Sequence, residues 1–114
     1  MNKLKLRALH LDPKDIPLIS RKGFRLMIPH MDVRVWRDDN IEYPMFAVSI
    51  STKVDKRATV RNKIKRKIRV VFFDLSKQGL VKKGKYVLIV KNRELLNMNL
   101  DEIRKELEPI TYKT

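Results

Sequence analysis

Six of the nine residues from Arg61 to Arg69 are Lys or Arg. Side chains of these two types bind phosphate: they displace counterions from a nucleic-acid backbone, and Arg adds a planar, bidentate donor pair. Asn62 lies within the run and can hydrogen-bond to a base or a sugar. Like charges at four-residue steps destabilise an isolated helix, a cost that an external polyanion would offset. The run therefore indicates a nucleic-acid-binding surface.

A helix is the element that would position these cations. Apolar residues recur through the same segment at steps of three and four, the spacing of one helical face. They are Val60, Ile64, Ile68, Val71, Phe72 and Leu75. The pattern predicts a long helix at about 59–77, with Thr59 as its candidate N-cap. One face would then be apolar, and Arg61, Lys65 and Arg69 would line another.

Composition supports a polyanionic partner. The chain has 114 residues, a net charge of +14 and a pI near 10.3, which predicts one domain that binds nucleic acid or an anionic membrane surface. The absence of cysteine excludes disulfides and thiolate metal sites. The apolar runs are too short to span a membrane, and the N-terminus lacks a signal-peptide pattern, so a cytoplasmic protein is expected.

The remaining segments predict an α+β fold. Residues 1–11 resemble a loose, flexible basic arm, and Asp12-Pro13 is typical of a helix start, with Gly23 ending a short first helix. The stretch YVLIV has the continuous apolar character of a strand covered on both faces. Asn99 with Glu102 is typical of a capping box at the start of a last helix. The predicted order is a helix near 13–20, strands at 23–28, 31–37 and 43–52, the long helix, a strand at 86–90 and the last helix.

A protein-borne active site is hard to assemble from this sequence. His10 and His30 fall in the arm and at a strand break, and neither has a carboxylate at ligand spacing. The acids of the last helix suit its N-terminal dipole. None of the three glycines forms a G-x-G pattern, and no Ser or Thr is marked as an activated nucleophile. We therefore predict no catalytic residue and no metal ligand in the protein itself. Composition alone leaves RNA and DNA open as partners.

Residues 46–72, FAVSISTKVDKRATVRNKIKRKIRVVF, resemble the signature of the bacterial ribonuclease P protein subunit. That family has a strand ending in Ser, a basic turn, and a helix that opens with R-N-x-x-K-R-x-x-R. The matching positions are Ser51, Lys53, Val54, Lys56, Ala58, Val60, Arg61, Asn62, Lys65, Arg66 and Arg69. Weaker similarity extends over roughly residues 12–108.

The resemblance implies a two-layer α/β sandwich of α-β-β-β-α-β-α order, a fold also found in a domain of a ribosomal protein. Its strand–helix–strand crossover is left-handed, against the general rule. It also implies a role in removing the 5′ leader of precursor tRNA, with catalysis and Mg²⁺ in a large RNA subunit and no cofactor held by the protein. The implied partners are ribonuclease P RNA and precursor tRNA, with one protein per RNA and no membrane.

The resemblance assigns two sets of binding residues. Lys63 stands where the family usually has a second Arg, so it keeps the charge but loses the planar fork. The set expected to contact the RNA subunit is Arg61, Asn62, Lys63, Lys65, Arg66 and Arg69. The set expected along the leader cleft or its rim is Arg34, Trp36, Ser49, Ser51, Lys53, Lys56 and Arg57.

The chain departs from the family in the aromatic side chains of the leader cleft. Ile16 and Ser20 stand where phenylalanines are usual in the first helix, and Arg34 stands where a tyrosine is usual. Trp36, on the same strand face as Arg34 by alternation, would supply a ring, and a role in the sheet or an interface is the equal alternative. We therefore expect leader binding to depend more on Arg34 and the lysines than on stacking, with a steep salt dependence. A salt slope that Arg34→Ala leaves unchanged would contradict this expectation.

Three other functions stay open at this point. A ribosomal or ribosome-associated RNA-binding protein would bind ribosomal RNA and leave tRNA processing unchanged. A DNA-binding regulator would show sequence-selective duplex binding, usually as a dimer. A self-standing nuclease would cleave RNA in Mg²⁺ without any RNA subunit.

Overall fold

The computed structural model describes residues 10–114, which form four strands and four helices in the order α-β-β-β-α-β-α-α. The strands are β1 (Phe24–Ile28), β2 (Met31–Arg37), β3 (Met45–Ser49) and β4 (Gly84–Val90). The helices are α1 (Ile16–Lys22), α2 (Ala58–Lys77), α3 (Leu100–Leu107) and the single turn α4 (Pro109–Tyr112). Short 3₁₀ turns at Pro13–Asp15 and Arg93–Asn97 precede α1 and α3. Within this part of the chain, no helix combines the length and apolarity needed to cross a membrane.

The four strands form one sheet in the order β1-β2-β4-β3. β2 pairs antiparallel with both β1 and β4, whereas β3 and β4 are parallel. Because parallel neighbours need a crossover connection, α2 runs between them as the helix of a β-α-β unit. The predicted α+β class and the order of elements are therefore confirmed.

The main core lies between one face of the sheet and the helices α2 and α3. The face of α2 predicted from the repeat is buried as expected: Val60, Ile64, Ile68, Val71, Phe72 and Leu75 are all at most 7% exposed. The Phe72 ring stacks on Phe46 at a centroid distance of 4.3 Å and meets the edge of Tyr86 at 5.3 Å. Aromatic contacts of this geometry add to the stabilisation that comes from buried area.

A smaller core on the opposite face of the sheet holds α1. Ile19 of α1 packs with Ala47, Val87 and Leu11, and the four residues are at most 8% exposed. β4 is thus covered on both faces, as its apolar run predicted. The predicted arm at 1–11 falls outside the described residues except for its last two. Those two are not loose, because Leu11 is fully buried and its N–H donates to the Phe46 carbonyl at 2.9 Å.

Several element boundaries differ from the predicted ones: α1 covers Ile16–Lys22 instead of 13–20, and β4 begins at Gly84 instead of Tyr86. Two further differences concern the third strand and the start of α2. The third strand covers Met45–Ser49 instead of 43–52. The candidate N-cap Thr59 lies inside α2, which begins at Ala58 and has no side-chain cap at Arg57. The physical reason is Asp55, whose carboxylate accepts the Arg57 N–H at 2.9 Å and organises the turn before the helix. The predicted capping box of Asn99 and Glu102 is confirmed.

A buried carboxylate attaches α1 to the sheet. The strand register places Arg25 of β1 opposite Arg34 of β2, an unfavourable pairing of like charges. Asp32 accepts two hydrogen bonds from Arg34, both at 3.1 Å, and forms an ion pair with Arg25 at 3.2 Å. Arg34 also donates to the Ser20 carbonyl in α1. The hydrogen bonds from Arg34, together with Arg25, hold the pKa of Asp32 below its usual value against the opposing effect of burial.

We expect Asp32→Asn to lower the free energy of unfolding by about 1–3 kcal/mol at pH 7, because hydrogen bonds to a charged group are removed. Since the pKa of Asp32 is lowered by folding, its stabilising contribution is present above the usual Asp pKa near 4 and is lost as pH falls through the lower folded value. Urea unfolding at pH 7, 5 and 3 should therefore show a difference between wild type and variant that shrinks toward pH 3.

Asp39→Asn is the matched control. The Asp39 side chain is 84% exposed and reaches Arg37 only at 3.4 Å, so its replacement should change stability by less than about 0.5 kcal/mol. A difference for Asp32→Asn that is the same at pH 3 as at pH 7 would contradict the assigned role of the Asp32 carboxylate.

Candidate nucleic-acid interface

The outward face of α2 presents the cations predicted from the sequence. Asn62, Lys63 and Arg66 are exposed, and Lys65 and Arg69 are half-buried. Within residues 10–114, none of these five side chains has a hydrogen bond or an ion pair to another residue. Because the opposite face of the helix is buried in the main core, these side chains are held on a rigid element and point away from the core. The surface can therefore meet a polyanion without first breaking internal contacts.

Two bases of the same run serve the fold instead. Lys67 donates its Nζ to the Leu96 and Met98 carbonyls at 2.6 and 2.8 Å, which attaches the segment before α3 to α2. Arg61 donates one guanidinium nitrogen to the Asp55 and Lys56 carbonyls at 3.0 and 2.8 Å. Arg61 was predicted to contact RNA, and the structure gives it a second role in holding the segment before its own helix.

That segment forms one wall of a groove. The cavity has a volume of about 680 Å³ and lies between residues 52–57, which join β3 to α2, and residues 91–94, which follow β4. We call it the connector groove. Its lining includes five basic residues and two acids: Lys53, Lys56, Arg57, Lys91, Arg93, Asp55 and Glu94. The excess of positive charge in a concave surface favours a phosphate backbone as ligand.

Asp55 lies at the base of this groove and contacts both walls. Its side chain, 3% exposed, accepts from Arg57 at 3.1 and 2.9 Å and from Arg93 at 3.4 Å. These hydrogen bonds, led by the one from the Arg57 side chain, hold the pKa of Asp55 far below its usual range. The carboxylate is therefore ionised at neutral and mildly acidic pH.

The side of the sheet that carries α1 offers fewer free cations. Arg34, predicted to bind the leader, is engaged with Asp32 and the Ser20 carbonyl, and its side chain is 19% exposed. Lys85 pairs with Asp15 at 3.3 Å. Trp36 remains 42% exposed beside a cavity of about 100 Å³ at α1, and Ser49 is exposed at the end of β3. Arg34 is therefore not a free cation. The structure does not bring it together with the exposed residues of the predicted leader set, which are Ser51, Lys53, Lys56 and Arg57.

Sequence reasoning missed Lys91, Asn92 and Arg93. They come directly after β4 and form the second wall of the connector groove. The signal for them is their position in the fold. Because β3 and β4 are parallel neighbours, the segments that follow the two strands lie at the same end of the sheet. A parallel pairing predicted from sequence would have brought Lys91 and Arg93 beside residues 52–57. As for metal, the described residues contain no group of three or more His, Cys, Asp or Glu side chains placed to hold an ion.

A model of the protein family described as Ribonuclease P matches residues 8–114 of the chain. Relatives include the ribonuclease P protein component of Synechocystis, which is 31% identical over 97 residues, covering 85% of this chain and 77% of the relative. The ribonuclease P protein component of Geobacillus kaustophilus is 35% identical over 78 residues, covering 67% of this chain and 62% of the relative.

Solved structures share the fold. The RNase P protein from Thermotoga maritima, in complex with 1-(4-fluorophenyl)-2-thiourea, superposes with a TM-score of 0.75 at 25% identity, covering 98% of this chain and 99% of that one. The RNase P protein of Staphylococcus aureus gives a TM-score of 0.70 at 24% identity and covers 88% of each chain. At 24% identity, the likeness to the Staphylococcus aureus protein supports the fold alone.

Lys63 and Lys67 lie four residues apart on α2, yet the structure gives them opposite roles. We expect Lys67→Ala to lower the free energy of unfolding by about 1–3 kcal/mol, because two backbone carbonyls would be left without their donor. Lys63→Ala should change stability by less than about 0.5 kcal/mol. For RNA binding we expect Lys63→Ala to have the larger effect of the two variants. It should reduce the slope of log K against log salt by about 0.7–0.9. Urea unfolding and a salt titration of RNA binding on both variants measure this, and equal effects on both quantities would contradict the assignment.

Proposed function

The chain belongs to the ribonuclease P protein family, and on that premise we propose that it binds the RNA subunit of ribonuclease P and the 5′ leader of precursor tRNA. In this role it assists the Mg²⁺-dependent endonucleolytic removal of the leader that yields the mature 5′ end of tRNA. The family supplies the protein component of an endoribonuclease, so the partnership with ribonuclease P RNA follows from membership.

The observation that carries the proposal is the outward face of α2. Asn62, Lys63, Lys65, Arg66 and Arg69 stand on one rigid helix with their polar ends available to a ligand. Double-stranded RNA is recognised mainly by its shape and its backbone, because its major groove is too deep and narrow for side chains to read. A rigid row of cations on a helix suits that kind of recognition. We therefore assign this face, with the free part of the Arg61 guanidinium, to the RNA subunit.

We assign the leader to the connector groove and the adjoining edge of the sheet. A single-stranded leader needs cations along its backbone and, where available, a ring on which a base can stack. Lys53, Lys56 and Lys91 supply exposed cations at the groove. Ser49 and Ser51 at the end of β3 supply hydroxyl donors, and Trp36 supplies an exposed ring on the α1 side.

Chemistry at the scissile phosphodiester belongs, in this proposal, to the RNA subunit and its bound Mg²⁺. Mg²⁺ bound to the RNA would supply Lewis-acid polarisation of the phosphate and activation of water, and the protein would contribute by holding the substrate. Cations that neutralise phosphates also reduce the Mg²⁺ concentration needed to bring two RNAs together. The proposal implies one protein per RNA subunit and a location with the tRNA-processing machinery of the cytoplasm.

Cleavage of precursor tRNA by a bacterial ribonuclease P RNA at limiting Mg²⁺, with and without the protein, tests the proposal. We expect the wild-type protein to stimulate cleavage. Lys63→Ala/Arg66→Ala should reduce that stimulation by roughly tenfold or more at sub-saturating protein, because two side chains that bind phosphates of the RNA subunit are removed. Both residues are exposed and outside the core, so thermal unfolding should be unchanged.

The matched control is Lys77→Ala/Lys105→Ala, which removes the same net charge from exposed positions near the far end of α2 and on α3. It should stimulate almost as well as wild type. Equal losses of stimulation in the two double variants would mean that bulk charge, not the face of α2, drives binding. Tight binding of the wild-type protein to ribosomal RNA with no effect on cleavage would favour a ribosome-associated protein instead.

A further inference from the structure

The connector groove contains an acid where a phosphate-binding surface should avoid one. Between Lys53 and Arg69 the chain has nine bases, and Asp55 is its one acid. A negative charge close to a bound phosphate weakens binding of RNA. Asp55 is nevertheless buried and in contact with both walls of the groove, so its carboxylate must make a contribution that outweighs this cost.

Each arginine that Asp55 holds keeps part of its guanidinium in solvent. The Arg57 side chain is 63% exposed and the Arg93 side chain is 65% exposed, although both contact the carboxylate. Arg57 uses Nε and one terminal nitrogen on Asp55, and Arg93 uses one terminal nitrogen. A guanidinium has five N–H donors, so donors remain on both residues for a second acceptor. The carboxylate thus fixes the two planar groups and leaves their free edges toward the groove.

The two walls are also anchored independently of each other. Arg61 binds the carbonyls of Asp55 and Lys56 from the side of α2. The Lys91 N–H donates to the His30 carbonyl at 2.9 Å, which anchors the second wall to the turn between β1 and β2. Asp55 is the residue whose side chain joins the two walls, across 38 positions of sequence. Its carboxylate therefore holds the guanidinium groups of Arg57 and Arg93 to one point between walls that are already anchored.

We propose that Asp55 is a positioning residue for RNA binding, which holds Arg57 and Arg93 on opposite walls of the connector groove so that both contact phosphates of the precursor tRNA leader. This inference rests on the proposed function. It assigns a role to an acid inside the basic segment, and it adds Arg93 to the leader-binding residues. The two arginines act on the phosphates, and Asp55 acts only through them.

The sign of the effect separates this role from simple electrostatics. Asp55→Asn removes a negative charge but keeps a side-chain oxygen that can accept the Arg57 N–H, so the turn before α2 is preserved. If charge alone mattered, the variant would bind the leader more tightly, by up to about twofold at ordinary ionic strength. If Asp55 positions the arginines, the variant should bind about three- to tenfold more weakly, because two fixed charge-assisted contacts become mobile.

Glu94→Gln is the matched control. Glu94 lines the same groove and is exposed, and within residues 10–114 its carboxylate pairs with no base. Its neutralisation removes the same charge without releasing an arginine, so leader binding should strengthen slightly, by at most about twofold.

The experiment measures equilibrium binding of the complex of the protein with ribonuclease P RNA to two probes, a precursor tRNA with a 5′ leader and the same tRNA without one. Proteins are wild type, Asp55→Asn, Glu94→Gln, Arg57→Ala/Arg93→Ala and the triple variant. We expect Asp55→Asn to weaken binding of the leader-bearing probe only, and to reduce its salt slope by about 0.7 for each phosphate that is no longer neutralised. In the Arg57→Ala/Arg93→Ala background the same change should weaken binding no further, because the groups that it positions are gone.

Each outcome is decisive. Leader binding by Asp55→Asn that equals or exceeds wild type would overturn the inference, as would an equal weakening on the leaderless probe or an undiminished weakening in the arginine double variant. A wild-type complex that does not distinguish the two probes would instead overturn the proposed function.

Should Asp55→Asn fail to fold, Arg57→Lys/Arg93→Lys replaces it, since both residues are exposed and the net charge is kept. A lysine ammonium lacks the planar fork that contacts carboxylate and phosphate together. Weaker leader binding by this variant supports the inference, and unchanged binding overturns it.

Discussion

The packing of α2 on the sheet is the interaction on which the rest of the structure depends. Phe72 of the helix contacts both Phe46 of β3 and Tyr86 of β4, so one side chain joins the three elements of the parallel β-α-β unit. A helix carrying this many like charges is poorly stable alone, because bases at four-residue steps repel one another. Burial of six large apolar side chains, each contributing about 1.5–3 kcal/mol, exceeds that repulsion. The cationic surface exists because the opposite face of its helix is in the core.

Two buried aspartates organise the arginines around this framework in the same way. Asp32 holds Arg25 and Arg34 on the α1 side of the sheet, and Asp55 holds Arg57 and Arg93 beside the start of α2. In each case folding brings two guanidinium groups close together, and a carboxylate between them converts repulsion into a fixed arrangement. A protein with 27 bases and 13 acids has few carboxylates to use in this way. Two of these carboxylates are buried beside pairs of arginines, which is consistent with a surface that fixes the orientation of individual guanidinium groups.

Local patterns in the sequence predicted the order of the elements and the exposed cations of α2. The three-and-four repeat predicted the buried face of α2, the Asn99–Glu102 pair predicted the start of α3, and the apolar run predicted a strand covered on both faces. These features depend on neighbours within one turn or one strand. The roles of Arg34, Lys67 and Arg93 depend on partners brought close by the tertiary fold: Lys67 meets a carbonyl 29 residues away, and Arg93 meets a carboxylate 38 residues away. No periodicity records such contacts, so those three roles required the structure.

The cleft beside α1 shows how two departures from the family pattern are linked. The resemblance found in the sequence implies a tyrosine at the position of Arg34 and a phenylalanine at the position of Ser20. Ser20 lies in the last turn of α1, where carbonyls lack helical partners and the helix dipole is negative, and Arg34 donates to its carbonyl. The Arg34 guanidinium, which is carried by the sheet, thus supplies a hydrogen-bond donor to a carbonyl at the C-terminal end of α1. An arginine engaged in this way is less available to a ligand than Lys53, Lys56 and Lys91, which are exposed at the connector groove. The packing that satisfies the end of α1 therefore also withdraws Arg34 from the cations that a ligand could reach.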